Sequence, residues 1–153
     1  MSKLRENTGM EVVDENTVPS TKVSLTIPGE PRGKQRPRWQ KFGTYTPKET
    51  MNYETYIKQL FAIKYPGFMP VESALTANLW AGLTIPKSAS KKKQGMMKLG
   101  IIKPTRRPDV DNILKAVLDA LEKLAYKNDS QICRVVIDKD YSERPRLEIT
   151  ISW

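Results

Sequence analysis

Three aspartates and a lysine carry the chemistry open to this chain. Asp109-Val110-Asp111 sets two carboxylates at the entrance of a helical stretch, Lys115 follows one turn later, and Asp129 lies beyond the far end. Carboxylates alone repel a phosphate. Gathered around a divalent cation with all-oxygen ligands they attract one, and the cation activates water. Each aspartate also has an ordinary reading: Asp is a preferred N-cap, negative charge is favoured in a first helical turn, and Asp111/Lys115 has the i, i+4 spacing of an ion pair.

Composition narrows the alternatives. The 153 residues contain no histidine, which excludes Ser-His-Asp catalysis, His-based zinc sites and nucleases with a histidine base. Lys and Arg number 26 against 17 acids. From Pro31 to Lys48 there are six cations and no acid, and from Pro86 to Pro108 eight and again no acid. The rest of the chain is acidic on balance, so the basicity is concentrated in two segments, as contact with a polyanion requires. The first segment supplies Arg32, Lys34, Arg36 and Arg38 as DNA-binding candidates, with Trp39, Phe42 and Tyr45 interleaved either to stack on unpaired bases or to anchor the loop. The second supplies Lys91, Lys92 and Lys93, on a short basic helix or mobile loop from Lys87 to Lys103, and Arg106 and Arg107 just ahead of the aspartates.

The elements that must position these residues follow from periodicity. Val110, Ile113, Leu114, Val117, Leu118, Leu121 and Leu124 form one apolar helix face, opposite a stripe of Asp111, Lys115, Asp119 and Glu122. Thr46-Pro47-Lys48-Glu49 reads as a capped helix start, with Tyr53, Tyr56, Ile57, Leu60 and Phe61 as its stripe. Val23, Leu25 and Ile27, the run Leu75 to Ile85, Gln131 to Ile137, and Arg146 to Ile151 read as strands. The fold expected is α+β: two main helices on a mostly antiparallel or mixed sheet of about four strands, in a single domain over residues 21–153. Residues 1–20 are polar and aperiodic and read as a flexible arm. Cys133, in an apolar run, reads as a buried core thiol. With no long apolar run or signal segment, the chain is expected to be cytoplasmic.

Arg107-Pro-Asp-Val-Asp-Asn-Ile-Leu-Lys115, continuing to Asn128-Asp-Ser-Gln-Ile132, resembles the RusA family of Holliday-junction resolvases, whose signature is an Asp-x-Asp-Asn-x-x-Lys helix followed by Asp-Asp-x-Gln-[Val/Ile]. Ile27-Pro-Gly-Glu-Pro-Arg-Gly-Lys-Gln-Arg-Pro-Arg38 and Tyr45-Thr-Pro-Lys48 resemble members from Gram-positive bacteria and their phages. The resemblance implies a homodimeric, Mg2+-dependent endonuclease, with Mn2+ as a substitute and no small-molecule cofactor, that cuts four-way branched DNA by paired nicks. It implies Asp109, Asp111 and Asp129 as metal ligands and Lys115 as the essential lysine, with Arg106 and Arg107 in the basic lead-in. One departure is Asn128, where the family has Asp. The competing reading is a non-catalytic DNA-binding or architectural module. A phosphohydrolase of small substrates would not need two long cationic segments.

One geometric difficulty is visible at once. A helix from Val110 to Leu124 is about 20 Å long, and Asp129 lies past its far end. Either that helix ends early, or the acids meet across a dimer interface.

Overall fold

The structure is a computed structural model describing residues 21–46 and 48–153, without the side chains of Tyr45 and Glu49. The expected arm over residues 1–20, and the Pro47 and Glu49 parts of the expected capping box, lie outside the described residues.

Strand β1 (Lys22–Pro28) is followed by a small hairpin, β2 (Arg38–Gln40) and β3 (Gly43–Tyr45), then helix α1 (Lys48–Lys64). Strand β4 (Leu75–Thr84), helices α2 (Lys91–Lys98) and α3 (Val110–Leu121), and strands β5 (Ile132–Ser142) and β6 (Arg146–Ser152) complete the order. The main sheet runs β1-β6-β4-β5, with β1–β6 and β6–β4 antiparallel and β4–β5 parallel. It is the mixed form of the expected four-stranded α+β sheet. A parallel neighbour demands a crossover connection. Here that crossover holds α2 and α3, so it carries the whole second basic segment and the aspartate helix.

The core explains the sidedness. Val23, Leu25 and Ile27 of β1, alternate residues Leu75 to Leu83 of β4, and Leu147, Ile149 and Ile151 of β6 are buried. They meet Tyr53, Ile57 and Phe61 of α1 and Ile113, Ala116, Val117, Ala120 and Leu121 of α3. Val110, expected on the buried face, is 40% exposed, whereas Ala116 and Ala120, outside the expected stripe, are buried. Among the described residues no helix is long and apolar enough to cross a membrane.

Two further expectations are corrected. The central helix stops at Leu121 instead of Leu124: Glu122 turns extended and Lys123 takes φ 68°, while the amides of Leu124 and Ala125 fold back onto the Leu121 carbonyl. A left-handed lysine costs about 1–2 kcal/mol. Full burial of Tyr126, worth roughly 2–3 kcal/mol, offsets it, as do the hydrogen bonds Val71 N to Ala125 O (3.0 Å) and Lys127 N to Val71 O (3.2 Å). The other correction is Cys133, which is exposed. The β4–β5 register jumps there, Leu75 facing Ile132 and Thr76 facing Arg134, so Cys133 is the unpaired residue of an irregularity on an edge strand.

Candidate active site

The entrance to α3 is braced from two sides. Lys139 of β5 donates from Nζ to the carbonyls of Arg106 (2.8 Å) and Pro108 (3.1 Å). Arg106 donates to Glu30 Oε1 (3.0 Å) and to the Thr84 carbonyl (3.1 Å). Asp109 then takes the N-cap position, and its carbonyl accepts from Ile113 N (3.0 Å). Its carboxylate makes no capping hydrogen bond. Asp111 and Lys115 are exposed, and the ion pair their spacing allows does not form. The side chains of Asp109, Asp111, Lys115 and Asp129 are thus exposed and, among the described residues, free of ion pairs.

The loop between β1 and β2 lies along α3. Gly33 allows this, because a Cβ there would stand 2.9 Å from Asn112 Cβ and 3.1 Å from Pro108 Cβ. Lys34 N donates to the Asn112 carbonyl (2.9 Å), and its ammonium hydrogen-bonds Asp119 and lies 3.2 Å from Glu54 Oε1. Lys34 was a DNA-binding candidate by sequence; its charge is spent on fastening the loop to α3 and α1. Burial alone would lower its pKa, but Asp119 and Glu54 outweigh that and raise it above the ordinary 10.5.

Lys34→Met leaves Asp119 and Glu54 without their shared cation. With these side chains a quarter or less exposed apart from Asp119 at 27%, the expected loss is about 2 kcal/mol, below the roughly 3–5 kcal/mol of a fully buried pair. Because the folded pKa is raised, the stabilisation is complete below 10.5 and is lost as pH rises through the folded value. Thermal melts should therefore show a constant deficit across neutral pH that shrinks only in strong alkali.

Between this loop and the start of α3 opens a cleft of about 1160 Å3, lined by Arg32, Lys34, Arg36, Arg38, Arg107 and Asp109 among others. It brings four arginines to one of the free carboxylates, a field that draws a phosphodiester toward Asp109. Lys91, Lys92 and Lys93 do not line it; they form the exposed first turn of α2. Arg106 does not line it either, being held on Glu30.

Asp129 sits in a separately built turn. Asn128 Oδ1 accepts from Ser130 N (2.9 Å), and Gln131 Oε1 accepts from Asn128 N (2.7 Å), a reciprocal capping box around the short 3-10 turn Asp129–Gln131. Gln131 Nε2 donates to the carbonyls of Val71 (2.8 Å) and Ser73 (3.0 Å). Asn128 performs the capping an aspartate would, so the departure at this position leaves the turn intact. Nearby, burial first, then the charges of Glu122, Asp119 and Asp129, push the Tyr126 phenol far up, and its hydroxyl donates to the Leu118 carbonyl. Leu118 is about 10 Å along the helix axis from Asp111. Among the described residues, no three acidic side chains form a ready-made metal cluster.

The donor set suits a hard cation. Mg2+ keeps waters and is commonly bound by one or two carboxylates plus substrate phosphates, without an all-protein cage. Asp109 and Asp111, exposed and unpaired, meet that requirement.

A family model described as endodeoxyribonuclease RusA matches residues 28–152, from the end of β1 to the last residue of β6. The chain belongs to the RusA family. Membership implies endodeoxyribonuclease activity in general. A relative in Bacillus subtilis (strain 168), the uncharacterized protein YqaN, is 34% identical over 135 residues, covering 84% of this chain and 94% of its own length. The RusA match contains every site residue named above.

Sequence reasoning missed three contributors to this candidate site of the RusA-family chain: Lys139, Glu30 and the brace made by Gln131. Lys139 sits in ordinary strand alternation and Glu30 beside a turn, so no spacing betrays them. Gln131 was visible only as a motif position.

Proposed function

We propose that this chain is a Mg2+-dependent endonuclease that resolves four-way DNA junctions by paired nicks, acting in the cytoplasm as a homodimer of single nuclease domains over residues 21–153. The observation that carries the reading is the contrast between Asp109, Asp111, Lys115 and Asp129, exposed and unpaired, and the nearby charges of Lys34, Asp119, Arg106 and Asp140, which all have partners. A module that used its acids only for caps and ion pairs would spend them there.

Bound Mg2+, with Mn2+ as a substitute, would supply Lewis-acid neutralisation of phosphate charge and a nucleophilic water. Asp109 and Asp111 would be its principal ligands and Asp129 the third. Since no three acids cluster among the described residues, the site would close with phosphate oxygens of the DNA or with a second protomer. Lys115, one turn into α3, places an unpaired ammonium to stabilise charge on the phosphoryl group or the leaving oxygen. Arg32, Arg36, Arg38 and Arg107 hold the backbone of the strand being cut. Lys91, Lys92 and Lys93 stand at the positive end of the α2 dipole, an arrangement that a phosphate relieves. Two nicks placed symmetrically on a junction call for two sites related by a twofold axis, which an isologous dimer provides.

The direct test is cleavage of a synthetic four-way junction against a linear duplex of equal length, with Mg2+ and with EDTA. Paired nicks in the junction alone, only with the metal, are expected. Tight binding without nicking in Mg2+ or Mn2+ would establish the non-catalytic module instead. Engaging about six phosphates, binding in EDTA should fall with log salt at a slope of about −5; a slope near zero would remove the phosphate-gripping role of the basic segments.

A further inference from the structure

The hairpin β2–β3 presents two large aromatic side chains that the fold does not use. Trp39 is 85% exposed and Phe42 is 96% exposed. The hairpin forms its own two-stranded sheet, apart from the main one. Among the described residues, neither ring joins any ring pair, and neither belongs to the core. Anchoring the loop, the alternative that the sequence left open for Trp39, would have buried the ring. Exposed apolar side chains of this size point to an unbound partner.

The surroundings identify the partner's chemistry. Arg36, Arg38 and Lys41 interleave with the two aromatics, in a stretch without a single acid. Aromatics and arginine also occur at protein–protein interfaces, but lysine is depleted there, and Lys41 stands between the two rings in the chain. Cations alternating with exposed rings instead match a surface that holds phosphates while bases lie on the rings. The hairpin also continues directly from the cleft, because Arg36, Pro37 and Arg38 line it together with Asp109.

We infer that Trp39 and Phe42 form a stacking platform for bases at a DNA branch point, and that this hairpin makes the protein selective for branched over linear DNA. In the interior of a linear duplex every base is stacked on both sides, so a ring can engage one there only at the cost of unstacking it. At a branch point, terminal pairs present open faces. A two-stranded hairpin is marginally stable alone, so the platform adapts to the DNA it meets. This inference rests on the nuclease reading for its ligand but not on catalysis.

The test is therefore binding in EDTA, on the full-length protein. Trp39→Ala and Phe42→Ala should each weaken four-way junction binding by about tenfold, while linear-duplex binding changes by less than about twofold and the salt slope is unchanged. Trp39→Phe, which keeps a ring, should retain most of the affinity. Both positions are exposed, and unchanged melting temperatures will show that the variants fold. Equal losses on both DNAs, or no loss on the junction, would overturn the inference. So would dissociation of a dimer in the double variant, which would assign the hairpin to a second copy of the chain. Failure of the wild-type protein to bind a junction would instead overturn the nuclease reading, and the platform with it.

Discussion

Asp111→Asn should reduce junction cleavage by about three orders of magnitude while leaving junction binding in place. The carboxylate stands exposed in the first turn of α3 without an ion-pair partner among the described residues, so the fold asks little of it. Asparagine keeps its shape but halves its donors to a cation and removes the charge. A metal ion's charge stabilisation is worth several kcal/mol, and at 1.36 kcal/mol per tenfold losing about 4 kcal/mol gives that rate effect. Stability should drop by only about 0.5 kcal/mol, the worth of an acidic side chain at a helix N-terminus. Binding should hold or tighten, since a negative charge facing phosphate has been removed. Single-turnover cleavage alongside binding in EDTA separates these outcomes, and unchanged cleavage would remove Asp111 from the site.

Gln131→Ala should cut cleavage by about a hundredfold even though its side chain hydrogen-bonds to backbone groups. Gln131 closes the capping box on Asn128 N (2.7 Å) and ties the turn to the carbonyls of Val71 (2.8 Å) and Ser73 (3.0 Å). At about 1 kcal/mol each, those three bonds hold the Asp129 turn by roughly 3 kcal/mol. Released, Asp129 moves, and a displacement of about 1 Å at a reacting group costs on the order of 100-fold. A purely structural role predicts something else: a lower melting temperature with normal cleavage once the assay is run well below it. Rates measured in the cold distinguish the two.

The sequence made some of this legible and hid the rest for identifiable reasons. β1, β4 and β6 each bury one face, so alternation marked them; the apolar stripe of α3 stood out for the same reason at helical period. The end of α3 was hidden because Leu124 falls in phase with the helix. What stops the helix is burial of Tyr126 and its pairing with Val71, more than 50 residues away in sequence. Cys133 was misread because an unpaired residue in the β4–β5 register breaks the alternation that would have placed it. The hairpin left no periodic signal, since β2, three residues long and exposed throughout, has no pattern to show. The aspartates and Lys115 were visible through their spacing. The capture of Lys34 by Asp119 and Glu54 was not, being a contact set by how the loop lies on α3.

The same split runs through the site. Residue types and spacing were enough to raise the expectation of a cation-dependent chemistry, whereas the bracing by Lys139, Glu30 and Gln131 depends on chain segments meeting in space. Asp109, Asp111 and Asp129 do not form a cluster within one chain, so metal affinity should be weak in the free protein and strengthen when DNA is bound.

The most direct measurement is Mn2+ binding followed by electron paramagnetic resonance in the presence of a junction that cannot be cut. The wild-type complex should immobilise more Mn2+ than the junction alone, and the Asp109→Asn, Asp111→Asn double variant, still bound to the junction, should immobilise no more than the DNA does by itself. Equal Mn2+ binding by the two complexes would contradict the assignment of these carboxylates as metal ligands.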